Sequence, residues 1–307
     1  MKSPDTPKPE GIVNVLKPPG MTSSDVVSDI RRLFETKRVG HAGTLDPGAA
    51  GVLPITLGRA TRLFDLLIDK EKEYICEIAF GACTDTQDSY GRITERDEVS
   101  VSEEDILTAL NGFTGGYLQT APAYSALKSG GKSLYELARA GQEVPVRERE
   151  VTIHALELIA QTGGNRFLLR VRCSRGTYIR TLCEDIGRYL QTCAHMSFLL
   201  RSAAGAFCVE KSFSIAELAS MREEGRLLEA VVPIERVLDF LPSVRITDQP
   251  DIARLKNGCT IEPVGAAIDF QEGDLCRVYA TGFLGVGVRT WDGLKLKLHL
   301  WPGEQGA

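Results

Sequence analysis

No stretch of this 307-residue chain holds the roughly 20 consecutive apolar residues that a membrane helix needs. The first ten residues, Met1-Lys-Ser-Pro-Asp-Thr-Pro-Lys-Pro-Glu10, lack the apolar segment of a secretory signal. Residues 1–10 read instead as a polar, disordered lead-in. None of the eight cysteines sits in a C-x-x-C pair, so metal ligation finds no support in their spacing. Reduced, mostly buried thiols in a cytoplasmic protein are the expectation. An excess of positive charge is also missing. Lys and Arg number 36 against 41 Asp and Glu, for a net charge of −5. Nucleic-acid-binding chains are usually basic, so any such surface here must be a local patch. There are no internal repeats or low-complexity tracts, and no Rossmann, P-loop or metal signature.

What remains is a globular composition, 43% hydrophobic, long enough for one large or two smaller domains. Gly11 to Leu16 reads as a strand broken by Lys17-Pro-Pro-Gly-Met-Thr22. Thr22 and Asp25 have capping-box spacing, and Val26, Val27, Ile30, Leu33 and Phe34 follow on one helical face. Val39 to Pro54 is glycine-rich. Ala60 to Leu67 predicts a short helix, and Tyr74 to Phe80 a strand with Tyr74, Cys76, Ile78 and Phe80 on one face. Ser100-x-x-Glu103 predicts the opening of a helix carrying Ile106, Leu107, Leu110 and Phe113.

Thr114 to Gly141 is the best candidate for a mobile excursion, with one short helix opened by Ser133-x-x-Glu136. Phe167 to Cys173 alternates with Arg170 and Arg172, a half-exposed strand with an arginine face. After a turn at Gly176, Ile179, Leu182, Cys183, Ile186 and Tyr189 form a helical face, and Ser214-x-x-Glu217 opens another helix. Composition shifts near Asp239 to Ser243. From Val244 onward short strands and turns dominate, as in a separate small β-rich domain of about 60 residues.

The densest chemical signal is Gly40-His-Ala-Gly-Thr-Leu-Asp-Pro-Gly-Ala-Ala-Gly51. Asp46 sits there among four glycines and a proline, a setting that lets a ligand backbone come close. On its own the stretch is an ordinary Asp-Pro-Gly turn, and a lone carboxylate cannot do paired acid–base work.

The stretch resembles the catalytic motif of the TruB-type pseudouridine synthases, G-x-LDP-x-A-x-G, with matches at Gly43, Leu45, Asp46, Pro47, Ala49 and Gly51. Further segments resemble that family in the same order. Lys17-Pro-Pro-Gly-Met-Thr-Ser23 is similar to its KP-x-G motif and Lys72-Glu-Tyr74 to its K-x-Y motif. Tyr124-Ser-Ala-Leu-Lys128 with Gly131-Lys132 is similar to its thumb loop, and Cys173-Ser-Arg-Gly-Thr-Tyr-Ile-Arg180 to its GTYIR motif. The β-rich C-terminal segment resembles a PUA domain, a small RNA-binding module. Several co-linear motifs over residues 10 to 303 are more specific than any one alone.

The resemblance implies an α+β fold: a mixed, mainly antiparallel central sheet with flanking helices, plus a small C-terminal PUA-like domain. It implies a catalytic domain over 11–242, with a thumb-like excursion at about 119–150, and the PUA-like domain over 243–303. The implied reaction is isomerisation of the T-loop uridine at tRNA position 55, with no cofactor and no metal. Asp46 would act ionised, as nucleophile or as stabiliser and base, and Arg180 would be its cation partner. An arginine in a helix's first turn faces the positive end of the dipole, a mismatch that favours function over stability.

Tyr74 would stack on the target base, His41 would prop the space left by base flipping, and Tyr178 would support the pocket. Leu199, in a segment where Leu200 and Arg201 follow, would pack the base. Lys17 and Pro18 would shape the entrance. Arg31, Arg32, Lys37, Arg38, Arg170, Arg172, Arg175, Lys128, Lys132, Arg147 and Arg149 bracket these motifs and are candidates for phosphate contacts. Lys295, Lys297 and His299 form a polar strand face near the end.

The partner expected is the tRNA T-arm, bound by a monomer with no protein partner and no membrane. A non-catalytic tRNA-binding or folding protein with a PUA module is the main competing reading, but it has no need of Asp46, Tyr74 and Arg180 together. A guide-RNA-dependent relative fits less well, given the modest length and lack of basic tails. A small-molecule glycosidase lacks a clear second carboxylate.

Overall fold

The computed structural model describes residues 9–68, 70–122, 128–129, 132–133, 147–262 and 270–301. The chain begins with β1 (Gly11–Lys17), α1 (Ser23–Leu33), β2 (Val39–His41), β3 (Ala50–Leu57), α2 (Phe64–Ile68) and β4 (Lys72–Phe80). It continues with β5 (Ala82–Thr84), β6 (Ile93–Arg96), α3 (Glu103–Phe113), β7 (Gly115–Thr120), β8 (Lys128–Ser129) and β9 (Lys132–Ser133). Then come β10 (Glu148–Gly163), β11 (Arg166–Cys173), α4 (Ile179–Tyr189), β12 (Ala194–Ala204), β13 (Phe207–Cys208) and α5 (Ile215–Glu223). The last are β14 (Val231–Val232), α6 (Ile234–Val237), β15 (Ser243–Arg245), α7 (Gln249–Lys256), β16 (Leu275–Tyr279), β17 (Phe283–Thr290) and β18 (Gly293–His299).

The fold is α+β, as the resemblance implies. A ten-stranded mixed sheet has the main order β14-β1-β3-β12-β4-β11-β10-β7, with β2 paired to β3 and β13 to β12. Its neighbours are antiparallel except at one seam, where β12 runs parallel to β3 through Leu200↔Ala50 and Arg201↔Gly51. On one half, Val13, Val15, Leu53 and Ile55 bury against Val26, Val27 and Ile30 of α1 and Leu218 of α5. On the other, Cys76, Ile78, Phe167, Leu169 and Val171 pack with Ile106 and Leu110 of α3 and Leu182 and Ile186 of α4. Burying each such side chain contributes about 1.5–3 kcal/mol, so the two clusters carry both flanks of the sheet.

A separate four-stranded sheet, order β15-β16-β17-β18, closes the chain and covers α7. It is not isolated: Val286 and Leu300 share a buried cluster with Ile12, Val52 and Leu63.

Local sequence explains most elements. Thr22 and Asp25 form the expected capping box of α1, and Ser214 and Glu217 that of α5. Four details differ. The box of α3 is Ser102 with Asp105 rather than Ser100 with Glu103. Asp105 sits at the third helical position, where its carboxylate accepts from the Ser102 N–H at 2.9 Å and hydroxyl at 2.6 Å.

The glycine-rich run 39–54 is half strand. Gly51 and Pro54 punctuate it, but Val52, Leu53 and Ile55 are wholly buried, and a strand covered on both faces shows no alternation. Between Val244 and the last strands lies a helix, α7, whose Asp248 cap and Pro250 are ordinary start signals. Tyr189 ends α4 half-exposed, meeting the Phe113 ring edge-on at 6.0 Å instead of entering the core. The expected excursion is flanked by β7 and β10, and the helix expected after Ser133 lies outside the described residues.

Candidate active site

Asp46 is held in place by its own loop. Ser23, at the start of α1, accepts from the Leu45 N–H at 3.0 Å, and its hydroxyl faces the Leu45 carbonyl at 3.3 Å. The Pro47 carbonyl accepts from the Gly20 N–H at 2.8 Å and from Lys17 Nζ at 3.1 Å. Asp46 closes a turn by accepting the Ala49 N–H at 3.0 Å. Gly51 has φ of 124°, and a Cβ there would come within 2.3 Å of the Arg201 carbonyl oxygen, so only glycine fits the seam.

The carboxylate opens into a cleft of about 210 Å³ whose lining includes Leu45, Asp46, Tyr74, Tyr178, Arg180 and Leu199. Five of the seven residues singled out in the sequence therefore meet in one place. Arg180, on the first turn of α4 and 5% exposed, reaches Asp46 Oδ2 with Nε at 2.9 Å and Oδ1 with Nη2 at 3.4 Å. Its Nη1 donates to the Thr86 carbonyl at 3.1 Å and lies 3.9 Å from Asp88 Oδ2. Two carboxylates thus offset the unfavourable end of the α4 dipole. Tyr178 caps α4. Its backbone N–H and carbonyl are both clamped by the fully buried Gln119 amide, at 2.8 and 3.0 Å. Leu199 lines the cleft, whereas Leu200, next along β12, does not.

Tyr74 is buried on β4, opposite Arg201 on β12. Burial raises its phenol above the usual range, opposed by the nearby Arg201 guanidinium. The ring is therefore a neutral phenol at physiological pH, with an apolar face toward the cleft.

Two candidates lie outside the cleft lining. Lys17 is fully buried and absent from the cleft lining. Its ammonium is turned inward to the carbonyls of Pro18, Met21 and Pro47, at 3.0, 2.6 and 3.1 Å. It ties the turn after β1 to the loop that carries Asp46. Burial lowers its pKa to about 8, against the pull of Asp46. His41 ends β2, outside the cleft lining, with Nδ1 buried and unpartnered. Burial and then Arg201 push its pKa down, leaving a neutral ring at pH 7.

Two residues escaped sequence reasoning. Arg201 is 1% exposed and donates to the carbonyls of Val52, Thr44 and Gly43 at 2.7, 3.3 and 3.1 Å. It stitches β12 to the loop that carries Asp46. A lone arginine in an apolar strand, Phe-Leu-Leu-Arg-Ser, was the available signal. Asp88 accepts from the Thr86 hydroxyl at 2.6 Å and the Tyr90 N–H at 3.0 Å while facing Arg180. It sits in Thr-Asp-Thr-Gln-Asp, which looks like any polar turn.

The basic residues are only partly arranged for phosphate. Arg32, Arg170 and Arg172 pair with Asp29, Glu157 and Glu71 at the surface, while Arg175 lines the cleft. Lys128 and Lys132 belong to the β8–β9 hairpin. All eight cysteines are free thiols, five of them buried. Among the described residues no cluster could hold a metal ion, and no helix is long and apolar enough to cross a membrane.

Known proteins carry the same pattern. The model of the TruB family pseudouridylate synthase N-terminal domain matches residues 31–179, and that of the tRNA pseudouridylate synthase B C-terminal domain matches residues 180–239. The chain is 49% identical over 239 residues to tRNA pseudouridine synthase B of Pelotomaculum thermopropionicum, covering 76% of each chain. It is 40% identical over 289 residues to the enzyme of that name from Caldanaerobacter subterraneus subsp. tengcongensis, covering 94% of this chain and 97% of the relative.

Among solved structures, an H/ACA RNP bound to a substrate RNA containing 2′-deoxyuridine superposes with a TM-score of 0.74 at 25% identity, covering 97% of this chain and 87% of that one. A Cbf5-Nop10-Gar1 complex gives 0.71 at 28% identity, covering 92% and 79%. The chain thus shares its overall fold with these solved proteins. The chain belongs to the TruB family of pseudouridine synthases.

Proposed function

We propose that this enzyme converts the uridine at position 55 of the tRNA T-loop to pseudouridine. The observation that carries the reading is the Asp46–Arg180 pair, fixed at 2.9 Å in the cleft that the buried Tyr74 also lines. The proposal assigns catalysis to residues 11–242 and a PUA-like RNA-binding role to residues 243–303, acting as a monomer. Lys295 and Lys297 are exposed on β18, where they are available to a phosphate backbone.

The reaction is redox-neutral. The N1–C1′ bond breaks, the base turns, C5 bonds to C1′, the C5 proton leaves and N1 ends protonated. The target base is stacked inside the T-loop, and extruding it costs a few kcal/mol. The Tyr74 face and Leu199 repay part of that by covering the base in the cleft. A neutral His41 has no charge to desolvate on entering the vacated stack. Asp46 is positioned either to attack the sugar or to stabilise its developing positive charge and take the proton from C5. Arg180 fixes the carboxylate's orientation in both cases, so one geometry serves either chemistry.

Tritium release from a tRNA transcript carrying 5-tritiated uridine tests the reading. Wild-type protein should release tritium without added metal or cofactor. Asp46→Asn should release none while retaining tRNA binding. Binding without release by the wild type would favour a tRNA-folding protein instead, and an active Asp46→Asn would refute the role given to the carboxylate.

A further inference from the structure

We propose that Tyr90 is a stacking platform for a nucleobase of the substrate RNA neighbouring the extruded uridine; this rests on the tRNA-modifying reading above. Tyr90 lies in the turn between β5 and β6 and is 75% exposed. Its ring edge lies against Gly48 of the catalytic loop. A Cβ on Gly48 would fall 2.0 Å from Cε2 and 2.6 Å from Cζ of that ring. Gly48 is two residues beyond Asp46, a span of at most about 7 Å. An open aromatic face therefore stands beside the catalytic carboxylate, just outside the cleft that would receive the flipped base.

The segment presenting it is fixed rather than loose. The Tyr90 N–H donates to Asp88 Oδ1 at 3.0 Å, the Ser89 N–H to the Met196 carbonyl at 3.1 Å, and the Gly91 N–H to the Asp88 carbonyl at 3.3 Å. Asp85 Oδ1 accepts from the Arg92 N–H at 2.8 Å, and Thr84 Oγ1 donates to the Asp88 carbonyl at 2.8 Å, closing the turn. A ring needed only to brace the catalytic loop would be buried against it, yet this one leaves three-quarters of its surface in water. An exposed aromatic on a preorganised backbone loses little entropy on contact. The chemistry it suits is a base face. When one nucleotide flips out, its neighbour loses a stacking partner, and an aromatic ring supplies one for any base. The contact should therefore be tolerant of which base sits there.

The test uses a T-arm stem-loop RNA. Its affinity is measured by fluorescence anisotropy in the Asp46→Asn background, where turnover is absent, and tritium release is followed in the otherwise wild-type chain. Tyr90→Ala should weaken binding at least fivefold, the lower end of base–aromatic stacking. Tyr90→Phe should bind within twofold of its parent, because the ring and not the hydroxyl is used. In release assays the loss should fall on kcat/KM more than on kcat. Unchanged affinity in Tyr90→Ala overturns the proposal. So does a loss confined to kcat, which would make the ring a brace for Gly48, or an equal loss in Tyr90→Phe, which would mean a hydrogen bond. A wild-type chain that binds this RNA but releases no tritium overturns the activity reading instead, and the affinity comparison still decides the fate of Tyr90.

Discussion

Replacing Arg180 by lysine keeps a cation beside Asp46 but removes the fork. The guanidinium holds Asp46 Oδ2 at 2.9 Å and the Thr86 carbonyl at 3.1 Å with different nitrogens, and faces Oδ1 at 3.4 Å with a third. A single ammonium on a shorter, flexible stem cannot keep both well-formed contacts in that geometry. Losing one charge-assisted hydrogen bond costs about 1.5–3 kcal/mol. At about 1.4 kcal/mol per factor of ten, Arg180→Lys should slow the reaction roughly 10- to 140-fold. On the role proposed for Asp46, the loss belongs to chemistry, because the pair orients that carboxylate. The assay is single-turnover tritium release at saturating tRNA, with affinity measured alongside and thermal unfolding confirming the fold. A rate within threefold of wild type, or a loss confined to affinity, would refute the claim that the fork aligns Asp46.

Three further outcomes follow from the same geometry. Asp88→Asn keeps the bonds to Thr86 and Tyr90 but deletes a charge 3.9 Å from Arg180, and should lower the single-turnover rate about tenfold with little change in Tm. Lys17 titrates at about 8 in the folded protein and near 10.4 when unfolded, so between these values the unfolded chain binds more protons and stability rises with pH. Urea unfolding at pH 7.5 and 9.5 should show wild type gaining about 1–2 kcal/mol relative to Lys17→Met, whereas a constant or falling difference would contradict the assigned shift. Gly51→Ala would drive a Cβ into the Arg201 backbone at a φ of 124°, and should cost several kcal/mol in denaturant titration or prevent folding.

Much of the site was legible because its parts carry local signatures. The Asp-Pro-Gly turn, the alternation around Tyr74 and the mismatched arginine at the start of α4 each leave a mark in a short window. What was not legible depends on long-range pairing. Strand β3 hides behind Gly51 and Pro54 because both its faces are covered. Arg201 gains its meaning from carbonyls about 150 residues away in the chain, which no window contains. Lys17 looks like a surface turn lysine until the Pro47 carbonyl arrives 30 residues later to bury it. Asp88 sits in a polar turn whose purpose appears only once α4 has packed.

The parallel seam between β3 and β12 has a thermal consequence. Asp46 comes from the β3 side, and Tyr74, Leu199 and Arg180 from the other, and only two register pairs join the strands there. Warming that lets the two halves slide slightly apart would separate the carboxylate from its partners while each half keeps its helices. If this seam, tied also by the three Arg201 hydrogen bonds, is the weaker joint, catalysis should fail some degrees below the melting of secondary structure; coincident loss of both would show that it holds as firmly as either core.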